Sequence, residues 1–121
     1  MALNKRKRGA KGEDIAADHL NKKGYRIVLR NYNCPLGEMD IIAFDGDCLV
    51  FIEVRSRWSD RFGTPEESIT KDKVARLTKI GRYYLAKEIR KEVPCRFDFI
   101  GIMLDNKDNV IRLNHLENII D

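Results

Sequence analysis

The stretch GEMDIIAFDGDCLVFIEVRSR, residues 37–57, decides how this chain folds. Two apolar runs, 39–44 and 48–55, flank the dipeptide Asp45-Gly46, which favours a tight β-hairpin turn. The second run is apolar at odd and even positions alike, which is typical of a strand covered on both faces. Such a strand holds charged side chains only if they are paired or bind a metal ion. The stretch nevertheless contains Glu38, Asp40, Glu53 and Arg55.

The hairpin predicts which of these charges lie together. If Asp45-Gly46 supplies the two turn residues, Glu38 lies opposite Glu53, and Asp40 lies diagonally from Glu53 at about 7–8 Å between Cα atoms. Side chains of a strand alternate between faces, so all four charged residues are expected on one face. A register shift of one residue would break this grouping, which therefore depends on the turn.

The carboxylates of this stretch allow two interpretations. Carboxylates clustered at the end of a buried strand repel one another, and a divalent cation such as Mg²⁺ neutralises them with water and phosphate oxygens as further ligands. A metal held in this way can activate a water and stabilise a phosphorane-like transition state. Alternatively, Glu53 and Arg55 form a simple ion pair with Asp40 as a third member.

A further carboxylate, Glu13, is predicted on the first helix. It falls in the middle of an apolar arc formed by Ala10, Ala16, Ala17 and Leu20, which is an unusual place for a charge. A carboxylate near a helix N-terminus is also an ordinary structural feature, because the helix dipole favours it there. Both interpretations of Glu13 stay open.

The remaining periodicity predicts the other elements and the fold class. We expect a helix over 10–23, strands over 25–32, 96–104 and 110–113, and one long helix over 66–92. Together with the hairpin this gives the order α-β-β-β-α-β-β, an α/β fold in which helices flank a mixed β-sheet. A length of 121 residues is that of a single domain, expected over 1–121.

Composition narrows the compartment and the partner. No apolar run approaches the ~20 residues of a membrane span, and the basic N-terminus lacks the apolar core of a signal peptide, so we expect a cytoplasmic protein without a membrane partner. Cys34, Cys48 and Cys95 form no C-x-x-C pair, so we expect them reduced and mostly buried, with no zinc site. The net charge of +4 permits a nucleic-acid partner.

Basic residues flank the predicted site on both sides. Lys5, Arg6, Lys7 and Arg8 precede the first helix, and Arg57, Trp58 and Arg61 follow the second hairpin strand. A charge run is usually a solvated face, but this position beside the carboxylates favours contact with phosphates. Trp58 could stack on a base, or it could anchor its loop in the core.

Asp40 followed by Glu53-Val54-Arg55 resembles the signature of the PD-(D/E)xK nucleases. With Gly12-Glu13 on the early helix, residues 8–104 resemble the archaeal Holliday-junction resolvases and the YraN-like bacterial family of predicted endonucleases. The resemblance implies a restriction-endonuclease-like fold and hydrolysis of DNA phosphodiesters with Mg²⁺ or Mn²⁺, on branched or single-stranded DNA. It implies that Asp40 and Glu53 are metal ligands, that Glu13 is an accessory ligand or water-holder, and that Arg55 takes the place of the signature lysine.

The sequence departs from that signature at two positions. Met39 stands before Asp40 where the signature has proline, and Arg55 replaces the lysine. Arginine cannot give up its proton to activate water, although it can orient a water and stabilise charge on a phosphate. The alternative function is therefore a non-catalytic nucleic-acid-binding module on the same fold. A homodimer would suit cleavage of two strands, by analogy.

Overall fold

The computed structural model describes residues 5–59, 61 and 63–120, with side chains from residue 8 onward. Its helices and strands confirm the predicted order α-β-β-β-α-β-β. They are α1 (Lys5–Lys22), β1 (Arg26–Cys34), β2 (Gly37–Asp45), β3 (Cys48–Arg57), α2 (Lys71–Tyr84), β4 (Cys95–Leu104) and β5 (Val110–Leu116), with a 3₁₀ turn at Pro65–Ser68 and a π-helical turn at Leu85–Ile89.

The five strands form one mixed sheet in the order β1-β2-β3-β4-β5. Neighbours are antiparallel except β3 and β4, which are parallel and are connected through α2. Helix α1 packs Ala16 and Leu20 on one face of the sheet, and α2 packs Leu77 and Ile80 on the other. Strand β3 supplies apolar side chains to both cores, so the prediction of a strand covered on both faces is confirmed.

The predicted hairpin exists, but its turn lies one residue further along the chain. Asp45 pairs with Cys48, so Gly46 and Asp47 are the turn residues, and Gly46 takes the left-handed conformation at φ 60°. The predicted register was therefore wrong by two positions, since Ile41 lies opposite Ile52. Because side chains alternate with a period of two, this shift changes the partners but not the faces.

The prediction of one long helix over 66–92 was wrong, because this segment contains a 3₁₀ turn, then α2, then a π-helical turn. The extended backbone of Ile69 and Thr70 separates the 3₁₀ turn from α2. The Thr70 hydroxyl accepts a hydrogen bond from the Lys73 backbone N–H at 3.1 Å, which fixes the start of α2. The apolar periodicity continues across residues 69 and 70, but the Thr70 side-chain cap determines where α2 begins.

Two smaller expectations, on the start of α1 and on the cysteines, were wrong. Helix α1 begins at Lys5 rather than at Ala10, which is exposed and does not join the apolar arc. The cysteines are free, but Cys34 and Cys48 are only half-buried and Cys95 is exposed. None of the helices in the described ranges has the length and apolar character needed to cross a membrane.

Candidate functional site

A close approach between α1 and β3 creates the site. Gly12 is buried, and a Cβ atom at this position would collide with the side chain of Ser56 on β3. Glycine therefore lets the helix backbone lie against the strand. The next residue, Glu13, is held beside the sheet with its side chain 15% exposed.

Asp40 of β2 and Glu53 of β3 form the central pair of carboxyl groups. Asp40 Oδ2 accepts a hydrogen bond from the Val54 backbone N–H at 2.8 Å, and the Asp40 and Glu53 side chains are hydrogen-bonded to each other. The Glu53 side chain is 7% exposed. Two neighbouring carboxyl groups with so little solvent cannot both ionise easily.

The two carboxyl groups of this pair shift in opposite directions. Burial, and after it the contact with Glu53, raises the pKa of Asp40 to about 9. Burial alone would also raise the pKa of Glu53, but hydrogen bonds from Asp40 and Lys73 hold it below its ordinary value. The contact therefore favours retention of one proton by the pair, with Asp40 as its preferred holder.

Lys73 of α2 supplies the main counter-charge. Its Nζ lies 2.8 Å from Glu53 Oε2, and the two side chains are only 11% and 7% exposed. Arg55 Nη2 lies 3.6 Å from the same oxygen, but the Arg55 side chain is 41% exposed. The ion pair predicted between Glu53 and Arg55 is thus present, with Lys73 as the closer partner. Lys73 was not among the predicted site residues. The N-cap residue Thr70 marks the start of α2 in the sequence, but it does not show that the first turn of α2 meets Glu53.

Glu13 is a carboxylate with incomplete hydrogen bonding. Its Oε1 is buried and accepts no hydrogen bond, and Arg30 Nη2 lies 3.9 Å from that oxygen. The Asn31 side chain does hydrogen-bond to the carboxylate. Arg30 Nη2 instead binds Asp14 Oδ1 at 2.8 Å. Burial raises the pKa of Glu13 by more than Arg30 lowers it. Glu13 also acts on Asp40 electrostatically, so it belongs to the same cluster.

These groups border an open cleft of about 690 Å³. Its lining combines the carboxyl groups of Glu13 and Asp40 with basic and aromatic side chains, namely Arg8, Arg55, Arg57 and Trp58. Glu53 is not among the lining residues, but it is hydrogen-bonded to Asp40, which is. An anionic ligand in the cleft would therefore meet both arginines and carboxyl groups.

The donor set fits a hard cation, although it is incomplete as it stands. In the described part of the chain, no group of three or more His, Cys, Asp or Glu side chains is arranged to hold a metal ion. Glu13 Oε1 without a partner and Asp40 with its raised pKa are both features that an oxygen-binding divalent cation would relieve. Asp40, Glu13 and the adjoining Glu53 are the residues that would hold it.

The predicted nucleic-acid-binding residues fall into three groups. Arg8 and Arg57 line the cleft, whereas Arg61 is exposed on the following loop and is not part of that lining. The backbone of Lys5, Arg6 and Lys7 forms the first turn of α1, but their side chains lie outside the described residues.

Trp58 is anchored at the edge of the cleft. Its Nε1 donates a hydrogen bond to Asp108 Oδ1 at 2.6 Å, and its ring packs against the core under α1. The Arg8 guanidinium lies over the ring, 5.1 Å from its centroid. These contacts support the interpretation of Trp58 as a loop anchor. Stacking of a base on the ring would first require Arg8 to move away from it.

The chain belongs to the uncharacterised protein family UPF0102, whose sequence profile matches residues 12–102. It is 47% identical to a UPF0102 protein of Moorella thermoacetica over 110 residues, 91% of this chain and 92% of the relative. It is 44% identical to a UPF0102 protein of Pelotomaculum thermopropionicum over 118 residues, 98% of each chain. A UPF0102 protein of Chlorobium limicola is 47% identical over 114 residues, 93% of this chain and 88% of the relative.

Proposed function

We propose that this UPF0102 protein is a cytoplasmic endonuclease that hydrolyses DNA phosphodiesters with Mg²⁺ or Mn²⁺. The observation that supports this function most directly is the contact between the Asp40 and Glu53 carboxyl groups beside a cleft lined by arginines. Burying two adjacent carboxyl groups is costly for a fold, and carboxylates are ligands that a divalent cation prefers.

Each residue of the cleft has a role in this proposal. Asp40, Glu53 and Glu13 hold the divalent cation, which when bound supplies an activated water and neutralises phosphate charge. Arg55 has a guanidinium group, which donates hydrogen bonds to a phosphate oxygen and cannot serve as a base. Arg8 and Arg57 bind the neighbouring phosphates and position the strand without reading its sequence.

The preference for branched or single-stranded DNA rests on the resemblance to the resolvases. The proposal assigns the arginines of the cleft lining to phosphates, which carry no sequence information. Cleavage of both strands of a junction would need two cleavage sites, which a homodimer provides. Sedimentation of the protein with and without a four-way junction measures that stoichiometry.

Cleavage of end-labelled DNA tests the proposal. Single-stranded, duplex and four-way-junction substrates are incubated with Mn²⁺ and either the wild-type protein, Asp40→Asn or Asp18→Asn. Asp18 is an exposed α1 residue that forms an ion pair with Lys22, so its variant is a matched control. Cleavage by the wild type and Asp18→Asn, and none by Asp40→Asn, supports the nuclease. Equal cleavage by all three proteins would identify a contaminating nuclease.

A non-catalytic nucleic-acid-binding module is the second candidate. The observations that favour it are the Lys73–Glu53 ion pair and the lack, among the described residues, of a three-ligand metal group. This candidate predicts salt-dependent DNA binding with no change in melting temperature when Mn²⁺ is added. A Mn²⁺-dependent rise in the melting temperature of the wild type, absent in Asp40→Asn, would exclude it.

A further inference from the structure

The end of α2 and the π-helical turn after it form a second groove, on the face of the sheet opposite to the cleft. This open groove has a volume of about 470 Å³. Its lining combines apolar, basic and acidic side chains, namely Arg82, Leu85, Ala86, Arg90, Lys91, Glu92 and Val93. Leu85 and Val93 also pack against the core under α2, so the apolar part of the groove is fixed to the fold.

The three cations of the groove have no carboxylate partner. No ion pair between the described residues involves Arg82, Arg90 or Lys91. Segment 71–91 contains eight Lys and Arg against two Asp and Glu, so it alone carries more positive charge than the net +4 of the whole chain. An anionic ligand therefore finds complementary charge in this groove without breaking an existing ion pair.

Arg90 takes a backbone conformation that arginine rarely adopts. It ends the π-helical turn in the left-handed region, at φ 61° and ψ 23°, where glycine is the usual residue because it lacks a Cβ atom. The Arg90 Nε donates a hydrogen bond to the Lys87 carbonyl oxygen at 3.1 Å. This bond holds the guanidinium beside the groove, and Nη1 and Nη2 of Arg90 make no hydrogen bond within the described part of the chain. A π-helical turn is itself a frequent mark of a functional site.

We propose that this groove docks an acidic peptide segment of a partner protein, with one apolar side chain of the peptide as its anchor. Carboxylates of the peptide pair with Arg82, Arg90 and Lys91, and the anchor packs on the apolar part of the lining. Nucleic-acid bases bind mainly by stacking on aromatic rings, and the lining residues include none. Glu92 would repel a phosphate backbone, whereas a peptide N–H can donate a hydrogen bond to it.

Fluorescence anisotropy with labelled synthetic peptides tests this proposal. The probe peptide carries glutamates on both sides of a single leucine. One control peptide has serine in place of the leucine, and the other has glutamine in place of every glutamate. We expect the probe to bind the wild-type protein about tenfold more tightly than either control peptide, because each control lacks one of the two kinds of contact.

Ala86 offers a matched pair of variants, since it is exposed and lines the groove. Ala86→Glu adds a carboxylate that repels the probe, whereas Ala86→Gln adds a side chain of similar size without charge. Ala86→Glu should therefore bind the probe several-fold more weakly than Ala86→Gln does. Circular dichroism confirms that each variant is folded.

Removal of two groove cations is the second comparison. The double variant Arg82→Gln with Arg90→Gln should bind the probe about tenfold more weakly than the wild type, as expected for the loss of two exposed ion pairs. The control double variant, Lys71→Gln with Lys107→Gln, loses the same charge at exposed positions outside the groove and should bind as the wild type does.

Three outcomes would overturn the proposal. Equal binding of the probe and the serine peptide would mean that the groove acts through charge alone. Equal loss of binding in the two double variants would mean that the peptide responds only to net charge. Binding of a single-stranded oligonucleotide that is weakened by Ala86→Glu, with no binding of the probe, would identify a nucleic-acid surface instead. None of these measurements involves cleavage, so the proposed nuclease function is tested separately.

Discussion

Two apolar strands of this protein each contain an acidic and a basic residue separated by one residue. The two pairs differ in how completely the carboxyl groups around them are hydrogen-bonded. Glu53 and Arg55 lie in β3, and Arg96 and Asp98 lie in β4. Both strands read almost alike in the sequence, and both place a carboxylate in a buried position. Only the structure distinguishes a site that is open to a ligand from one that is closed.

The pair in β4 is fully satisfied. Asp98 has no exposed side-chain surface, and it accepts hydrogen bonds from His115 Nε2 at 2.9 Å, the Asn118 backbone N–H at 3.0 Å and Arg96 Nε at 3.1 Å. Arg96 also binds Asp45 at 3.0 Å. Burial alone would raise the pKa of Asp98, but these donors hold it below its ordinary value. This cluster needs nothing further and ties β5 and the residues after it to the sheet.

The carboxyl groups around the pair in β3 are not satisfied in the same way. Glu53 has Lys73 and Arg55 as partners, but the pKa of the neighbouring Asp40 is raised by burial and by Glu53, and Glu13 Oε1 has no hydrogen-bond donor. The difference shows that burial of a carboxylate by itself does not indicate function. Incomplete compensation of its charge is the feature that points to a missing ligand.

The largest expected effect concerns the closed cluster. Asp98→Ala leaves a buried guanidinium and an imidazole without their acceptor, so we expect a loss of about 3–5 kcal/mol in the free energy of unfolding. Urea unfolding at pH 7 measures it. Asp18→Ala, which removes only an exposed helix pair, should cost less than ~0.5 kcal/mol. A small effect of Asp98→Ala would mean that the cluster is not a stabilising one.

The same cluster predicts a pH dependence with a defined sign. The pKa of Asp98 is lower in the folded protein than in the unfolded chain, so its contribution is complete above the unfolded value of about 4. It is lost as the pH falls through the lower folded value. Wild type and Asp98→Ala should therefore converge in stability under acidic conditions, which urea unfolding at pH 7 and pH 3 compares.

The approach of α1 to β3 gives the next largest effect. Gly12→Val places a branched side chain against Ser56 and should lower the free energy of unfolding by about 2 kcal/mol, because overpacking displaces the helix. Gly9→Val lies on the same helix with no atom within 4 Å of its Cβ position, and should change stability by less than ~0.5 kcal/mol. Equal effects of the two substitutions would contradict the close contact.

Asp40→Asn should have a smaller effect of opposite sign in metal-free protein. The pKa of Asp40 is raised to about 9, so the folded state holds a proton that the unfolded chain releases above pH ~4. The wild type therefore loses stability relative to the asparagine variant as the pH rises from about 4 to about 9. Near pH 7 we expect Asp40→Asn to be more stable by roughly 1 kcal/mol or more, measured by thermal unfolding in EDTA. A less stable variant would place the proton elsewhere.

The smallest effect concerns DNA affinity. Arg57→Ala should weaken binding a few-fold at physiological salt and reduce the slope of log K against log salt by about one, as expected for one lost phosphate contact. Lys91→Ala, an exposed residue outside the cleft lining, serves as the control. Fluorescence anisotropy over a salt series measures both. An unchanged slope in Arg57→Ala would place the phosphates elsewhere.

Local patterns were sufficient to predict the element order, because alternation of apolar residues and the turn residues act within a few positions. They also brought Asp40 and Glu53 together, which are in contact although the predicted register was wrong by two residues. The break at Thr70 was missed because apolar spacing continues across it, although the cap was present in the sequence.

Contacts between distant parts of the chain could not be predicted. The pairing of Lys73 with Glu53 depends on how α2 lies on the sheet, and that of His115 with Asp98 depends on β5. In the sequence, Arg96-Phe97-Asp98 and Glu53-Val54-Arg55 show the same pattern of opposite charges around one apolar residue, so the pattern predicts a functional site equally for both. Only the positions of donors from other elements separate the two.

The parallel pairing of β3 with β4 has a kinetic consequence. Asp45 and Cys48 pair across a two-residue turn. The pairing of β3 with β4 instead joins residues that are far apart in the sequence, such as Leu49 and Cys95. Closing a long loop is slower than closing a short one, so the β2–β3 hairpin should form first and α2 should dock later. Asp40 and Glu53 would then come together in a folding intermediate before Lys73 arrives to neutralise them. A divalent cation would stabilise that intermediate, and stopped-flow refolding should accelerate when Mg²⁺ is added and remain unchanged by Mg²⁺ in Asp40→Asn.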